Sequence, residues 1–296
     1  MQGEASSHPH CSLPPPEFLY RGRQRPRLAI PVVDLDQPTT AQNFGGFTHT
    51  VSPIVAIINH GCENVCQQLV QTAKTHNKPQ TDTRPNQRSF DLDSDQTPQL
   101  KRVASKVQHC LMDVCEKAIK AISPSLSALA SEKGLDAKLS CREYPAPQNC
   151  HDNEHGCQRL GPHVDATFVT LLWSDAPGLQ VFDPEEGSAW TGEEVMSVGV
   201  PSISVDNLRR QVNERDWANV ELASAPGNMK NENAIFLTVG SEWWNNSRAQ
   251  QLLPVQSPVL HRVFIIEDQN IDRYSLPLLV NLKSVDVGLE VEPLQD

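Results

Sequence analysis

Two imidazoles and one carboxylate carry the most specific chemistry in this chain. His163 and Asp165 stand two residues apart in Gly161-Pro162-His163-Val164-Asp165-Ala166-Thr167, and His261 comes later, in Ser257-Pro258-Val259-Leu260-His261-Arg262-Val263-Phe264. Two His and one carboxylate on one face of a metal, with its other positions open, suit a non-haem ferrous centre that handles O2. A strand turns alternate side chains the same way, so the i, i+2 spacing predicts His163 and Asp165 on one face with Val164 opposite. His261, arriving from a separate strand, completes the set on a rigid scaffold. A His-x-Asp triplet by itself is common, and its meaning here comes from context.

Elements able to position such a set can be read along the chain. Leu28-Ala29-Ile30-Pro31-Val32-Val33-Asp34-Leu35 is a strand-like run, and Ile54-Val55-Ala56-Ile57-Ile58 is another, ending in the turn Asn59-His60-Gly61. Residues 77–98, with Pro79, Pro85 and Pro98, read as loop. Over 98–122, Leu100, Val103, Val107, Leu111, Val114, Ala118 and Ile122 recur at three- and four-residue steps, which predicts an amphipathic helix. A shorter helix over 125–133 is stopped by Gly134. From Lys138 onward short β-type runs follow, at 138–144, 164–173, 178–182, 217–222, 234–239, 257–266 and 273–281. Such a series, with no long helices between, indicates a sandwich or barrel. Residues 184–214 interrupt it as a polar insertion, with a little helix near 206–214.

Composition narrows the partners. The chain has 296 residues with 25 Lys and Arg against 36 Asp and Glu, a net charge of −11, and no basic stripe. Phosphate neutralisation needs clustered cations, so nucleic acid is excluded as the expected partner. No run approaches the ~18 apolar residues of a membrane span, and the first thirty residues lack the apolar core of a signal peptide. The eight cysteines, at 11, 62, 66, 110, 115, 141, 150 and 157, are irregularly spaced. They are read as mostly reduced thiols of a cytoplasmic protein. Asn245-Asn246-Ser247 matches a glycosylation sequon, but is read as an ordinary surface triplet. Cys150, His151, His155 and Cys157 fit no standard zinc spacing and are read as a solvated loop before the iron strand.

Taken in order, these segments resemble the 2-oxoglutarate/Fe(II)-dependent dioxygenases, in the branch of isopenicillin N synthase and the plant-type enzymes. Ile30 to Leu35 is similar to the family's opening strand, Ile58-Asn59-His60-Gly61 to its Asn-His-Gly turn, and Tyr144-Pro145-Ala146-Pro147 to its Tyr-Tyr-Pro-Pro segment. His163-Val164-Asp165, followed by Thr170-Leu171-Leu172 and Gly178-Leu179-Gln180-Val181, resembles its most specific block. Trp217-Ala218-Asn219-Val220 and Ala234 to Gly240 follow, and His261-Arg262-Val263 with Arg273-Tyr274-Ser275 closes the pattern. The resemblance runs from about residue 28 to 282. There are two departures. The 184–214 insertion lengthens the interval between Asp165 and His261, and Thr238-Val239-Gly240-Ser241 stands where the family commonly has Asn-Ile-Gly-Asp.

The resemblance implies a mainly β fold with N-terminal helices, a double-stranded β-helix (a jelly-roll, cupin-like barrel) flanked by α-helices. It divides the chain into a flexible tail over 1–27, a helical cap region over 28–135, and a catalytic core over 136–296 carrying the insertion. It also implies Fe(II) held by His163, Asp165 and His261, with 2-oxoglutarate as co-substrate bound by Arg273 and Ser275. A guanidinium offers a planar two-pronged donor to a carboxylate, and Ser275 at i+2 faces the same way. Tyr144 is a further candidate for the keto acid, with a core role as its alternative. Leu172, Phe182, Trp243 and Trp244 are candidate walls of a substrate pocket, or simply core. The implied reaction is O2-dependent oxidation of a small organic molecule (hydroxylation, desaturation or cyclisation) with release of succinate and CO2, in specialised-metabolite biosynthesis. Three alternatives stay open: an iron oxidase that uses no 2-oxoglutarate, a non-catalytic ligand-binding module, and a hydroxylase of proteins.

Overall fold

Pro31 has no N–H to give a ladder, and it splits the first apolar run into two strands that enter different sheets. These are β1 (Arg27–Ile30) and β2 (Val32–Asp34). The computed structural model describes residues 27–36, 54–76, 80–81, 87–93, 95, 97–146, 157–183, 191–199, 216–222, 234–265 and 272–283. Residues 1–26 of the expected tail, the zinc-type cluster from Cys150 to His155, and the helix expected near 206–214 lie outside these residues, while Arg27, the last tail residue expected, begins β1. After β3 (Ile54–Ile58) come α1 (Glu63–His76), β4 (Gln80–Thr81), β5 (Arg88–Phe90), α2 (Pro98–Ile122) and α3 (Pro124–Lys133). Then follow β6 (Leu135–Leu139), β7 (Cys141–Tyr144), β8 (Cys157–His163), β9 (Val169–Ser174), β10 (Leu179–Phe182) and α4 (Gly192–Gly199). The last elements are β11 (Trp217–Leu222), β12 (Ile235–Val239), α5 (Ser241–Asn245), α6 (Ser247–Leu252), β13 (His261–Ile265) and β14 (Arg273–Leu282).

These strands make two sheets. The smaller runs β1-β11-β10-β13-β8, and the larger runs β2-β3-β12-β9-β14-β7-β5-β4 with β6 beside β14. Only β1·β11 and β2·β3 are parallel among the described pairs. Ile30, Leu179, Val181, Val220 and Val259 of the smaller sheet side meet Ile54, Ala56, Ile58 and Phe236 of the larger, so the sheets pack face to face. A closed barrel was expected, and none forms among the described residues. The chain leaves β8 at His163 and crosses to β9 in the other sheet instead of extending one continuous ladder, which leaves β8 at an edge.

The helices cover the outer face of the larger sheet. In α2 the buried residues include every apolar position picked out by spacing, from Leu100 to Ile122. Pro98 begins it, where a missing N–H costs nothing. Ser123 caps α3 by accepting from the Leu126 N–H, and Gly134, at φ 76°, ends it in a conformation that side chains disfavour. Helix α1 was not expected from the sequence. Its buried face is Cys66, Leu69, Val70 and Ala73, packed in one core with α2, α3, β9, β12 and β14. Each fully buried Leu or Val there contributes ~1.5–3 kcal/mol.

Three expectations need correction. A disulfide joins Cys62, just before α1, to Cys110 in α2, so these two are not reduced; Cys66, Cys115 and Cys141 are free and buried. The run at 164–173 begins late, at Val169, because residues 164–168 form a turn. The insertion holds α4 at Gly192–Gly199, docked through Val195 against Phe182, Trp217 and Leu260. Among the described residues no helix is long and apolar enough to cross a membrane.

Candidate metal centre

His163 ends β8 and His261 begins β13, and the two are direct partners in the ladder between these strands. Their rings stand 4.2 Å apart, centroid to centroid. Asp165 does not lie on the strand, as the alternation argument required; it sits two residues past the end of β8, in the turn toward β9. The turn is held from outside. The Asp165 carbonyl accepts from the Ser241 N–H at 2.9 Å, and the Thr167 carbonyl accepts from the Glu242 N–H at 3.0 Å. Gly240 makes this approach possible, since a Cβ there would collide with Thr167 and lie 2.8 Å from the Asp165 carbonyl oxygen. The turn thus delivers the carboxylate where the strand would have carried it past.

His163 Nε2 lies 3.7 Å from Asp165 Oδ1, and His261 Nε2 lies 3.8 Å from Asp165 Oδ2. One ligand atom from each of the three residues falls within 4.8 Å of the other two. Both tautomers are set by the backbone. A carbonyl can only accept, so His163 Nδ1–H donates to the Gly161 carbonyl at 2.9 Å and His261 Nδ1–H to the Val259 carbonyl at 3.1 Å. This leaves both Nε2 lone pairs aimed at the carboxylate, the tautomer a metal requires. Burial and the facing His261 push His163 down to about 3, so the ring is neutral. Burial opposes the charge on Asp165, but the two imidazoles, the Thr170 hydroxyl and Arg142 outweigh it and hold the carboxyl below its usual range. Two imidazole Nε2 atoms beside an ionised carboxylate fit a divalent cation with open positions.

The triad lies in a cleft between the sheets with about 420 Å3 of empty space, its mouth included. Arg273 and Ser275 face it from β14, each 1% exposed. The Arg273 Nε donates to the carbonyls of Ala176 and Pro177, both at 3.1 Å, which fixes the fork. Its two terminal nitrogens and the Ser275 hydroxyl are buried without a hydrogen-bond partner among the described residues. A buried donor left unpaired costs ~1–3 kcal/mol, so this set fits a carboxylate able to accept from all three. Tyr144 is the direct ladder partner of Arg273, and the guanidinium carbon lies 5.4 Å from its ring centre.

The substrate-wall candidates divide. Leu172 lines the cleft. Phe182 is fully buried against Trp217 and Leu260, Trp243 stacks on Phe168 at 4.8 Å, and Trp244 packs at the edge of the helical core, so none of these three lines the cleft. Its apolar walls are instead Leu160, Leu172, Leu179, Val263 and Pro277. The sequence reading also missed Arg142. It lies on β7 opposite Ser275, two residues before Tyr144, a spacing that could have marked it.

No protein-family model matches the chain, and no curated protein does. Solved structures match it in fold. A full-length Neurospora crassa protein, in complex with alpha-KG and 5-formyluracil, is 17% identical over 85% of this chain and 84% of its own, with a TM-score of 0.55. Dioxygenase for auxin oxidation 1 of Arabidopsis thaliana, in a complex with 2-oxoglutarate, is 15% identical over 87% and 94%, with a TM-score of 0.53. JOX2, in complex with 2OG, Fe and JA, is 17% identical over 88% and 77%, with a TM-score of 0.51. At such identities the likeness speaks for the fold alone: this chain shares the architecture of 2-oxoglutarate-type oxygenase structures, the double-stranded β-helix.

Proposed function

We propose that this protein is an Fe(II)- and 2-oxoglutarate-dependent oxygenase acting on a small organic molecule, with hydroxylation as the default outcome. One observation carries the reading. Three metal-competent side chains and an orphaned guanidinium–hydroxyl pair open into the same cleft. His163, Asp165 and His261 would hold the metal, and Arg273 with Ser275 would hold the far carboxylate of the keto acid. Ferrous iron bound there would supply O2 activation coupled to oxidation of 2-oxoglutarate to succinate and CO2. The chain's own part is positional. Arg273 would hold one end of the co-substrate, and the backbone-locked imidazoles would keep their Nε2 lone pairs free for the metal. The apolar walls exclude water from the space where a C–H bond would be placed. The ligands of the matched structures, alpha-KG in the Neurospora crassa protein and 2OG with Fe in JOX2, support the same cofactor pair. The resemblance to the plant-type branch supports a role in specialised metabolism.

Anaerobic titration with Fe(II), with and without 2-oxoglutarate, tests this reading. A visible metal-to-ligand charge-transfer band is expected only with both present, and is expected to vanish in His163→Ala. Native protein that binds Fe(II) but shows no band with the keto acid would favour an iron oxidase that uses none.

A further inference from the structure

The cleft holds a second cation that the proposed chemistry does not use. Arg142 lines it from β7, and its ladder partner across β14 is Ser275. Arg142 and Tyr144, at i and i+2, therefore share the face that carries Arg273 and Ser275. Unlike Glu143, which turns to the other face and accepts from the Tyr274 hydroxyl, Arg142 makes no side-chain hydrogen bond or ion pair among the described residues. It lines the same cleft as His163 and Asp165.

Charge counting shows what is left over. Asp165 is the only acidic residue lining the cleft among the described residues. A divalent metal and two guanidiniums exceed that single carboxylate by three charges. A dianionic keto acid offsets two of them and leaves one. Leu160, Leu172, Leu179, Val263 and Pro277 supply its apolar wall, and uncharged Tyr144, Thr170, Thr238 and Ser275 the remainder beside the triad and the two arginines. A half-buried guanidinium at such a wall favours a planar anion whose body is apolar.

We infer that Arg142 is a specificity residue, and that the substrate oxidised in this cleft is an organic monocarboxylate with an apolar body, anchored by its carboxylate to Arg142. This rests on the oxygenase reading and names its substrate class. Arg273 serves the co-substrate, and Arg142 the substrate.

Calorimetric titration of the full chain, loaded anaerobically with Fe(II) and 2-oxoglutarate, tests the assignment. The probes are hexanoate, phenylacetate and 4-phenylbutyrate, each beside its neutral amide. Native protein is expected to bind at least one acid tenfold or more tighter than its amide, roughly the worth of one charge-assisted bond. Arg142→Gln is expected to abolish that preference, Arg142→Lys to keep part of it, and Arg142→Gln to bind 2-oxoglutarate within about twofold of native. A melt of each variant checks folding. The assignment is overturned by no acid preference in native protein, by a preference that survives Arg142→Gln, or by a tenfold loss of 2-oxoglutarate affinity in that variant, which would give Arg142 to the keto acid. Failure of the parent reading looks different: native protein would not bind 2-oxoglutarate at all. The acid–amide comparison on protein with metal alone would then still decide whether Arg142 selects carboxylates.

Discussion

The two faces of the larger sheet are built to opposite rules. Along β14, Tyr274, Leu276, Leu278 and Val280 turn outward into the core beneath α1, α2 and α3, whereas Arg273, Ser275 and Pro277 turn inward to the cleft. Along β9, Val169, Leu171 and Trp173 go out while Thr170 and Leu172 go in. The outer face is mostly apolar, and its Tyr274 hydroxyl donates to Glu143. The inner face keeps a buried guanidinium fork and a hydroxyl without hydrogen-bond partners among the described residues. Such groups weaken a fold, and the helix-covered face offsets that cost. Stability and binding are thus written on alternate residues of the same strands, so substitutions one position apart should separate them.

The largest effect is expected at the metal. Asp165→Ala and His261→Ala should lose bound iron and more than ~100-fold of 2-oxoglutarate turnover, exceeding the roughly 10–100-fold cost of removing a ligand's supporting partner. Iron content and succinate release measure this, and the metal-free melting temperature should hardly move. Leu278→Ala, on the outward face, should cost ~2–5 kcal/mol in urea unfolding while leaving 2-oxoglutarate affinity intact. Arg273→Met, on the inward face, should reverse the pattern. Equilibrium titration should show 2-oxoglutarate affinity falling ~10–100-fold, while stability changes little, because the lost Nε bonds are offset by removing a buried, half-paired charge. Equal effects from these two variants on both readouts would break the comparison.

The smallest effect is a pH slope in metal-free protein. His163 is held at about 3 in the fold, whereas a free imidazole titrates near ~6.5. The unfolded chain therefore takes up the proton first as pH falls. Stability from this group is present above ~6.5 and declines toward about 3. Thermal melts across that window should show a shallower decline for His163→Gln than for native protein.

How legible the molecule is in its sequence depends on what each feature asks of the chain. Helix α2 could be read position by position, because its strong apolar residues repeat along all 25 residues and Pro98 marks the start. Helix α1 was missed because its buried face relies on Cys66 and Ala73, weak markers among Gln and Thr. His163, Asp165 and His261 stood out because their side chains do rare chemistry. That Asp165 reaches the site from a turn was hidden, since it depends on Gly240, from a distant segment, letting two backbones meet. Phe182, Trp243 and Trp244 announced bulk but not direction, and packing turned them away from the cleft. Arg142 was overlooked for the opposite reason: only its register against Ser275 shows which way it faces. The Cys62–Cys110 bond spans 48 residues and follows from how α1 docks on α2, which no spacing encodes.

X-ray absorption of the Fe(II)-loaded protein, before and after 2-oxoglutarate, tests the central claim most directly. The expected first shell has nitrogen and oxygen neighbours only, two of them imidazole, and it is reorganised when the keto acid is added. A sulfur neighbour, or a shell that the keto acid leaves unchanged, would contradict the account.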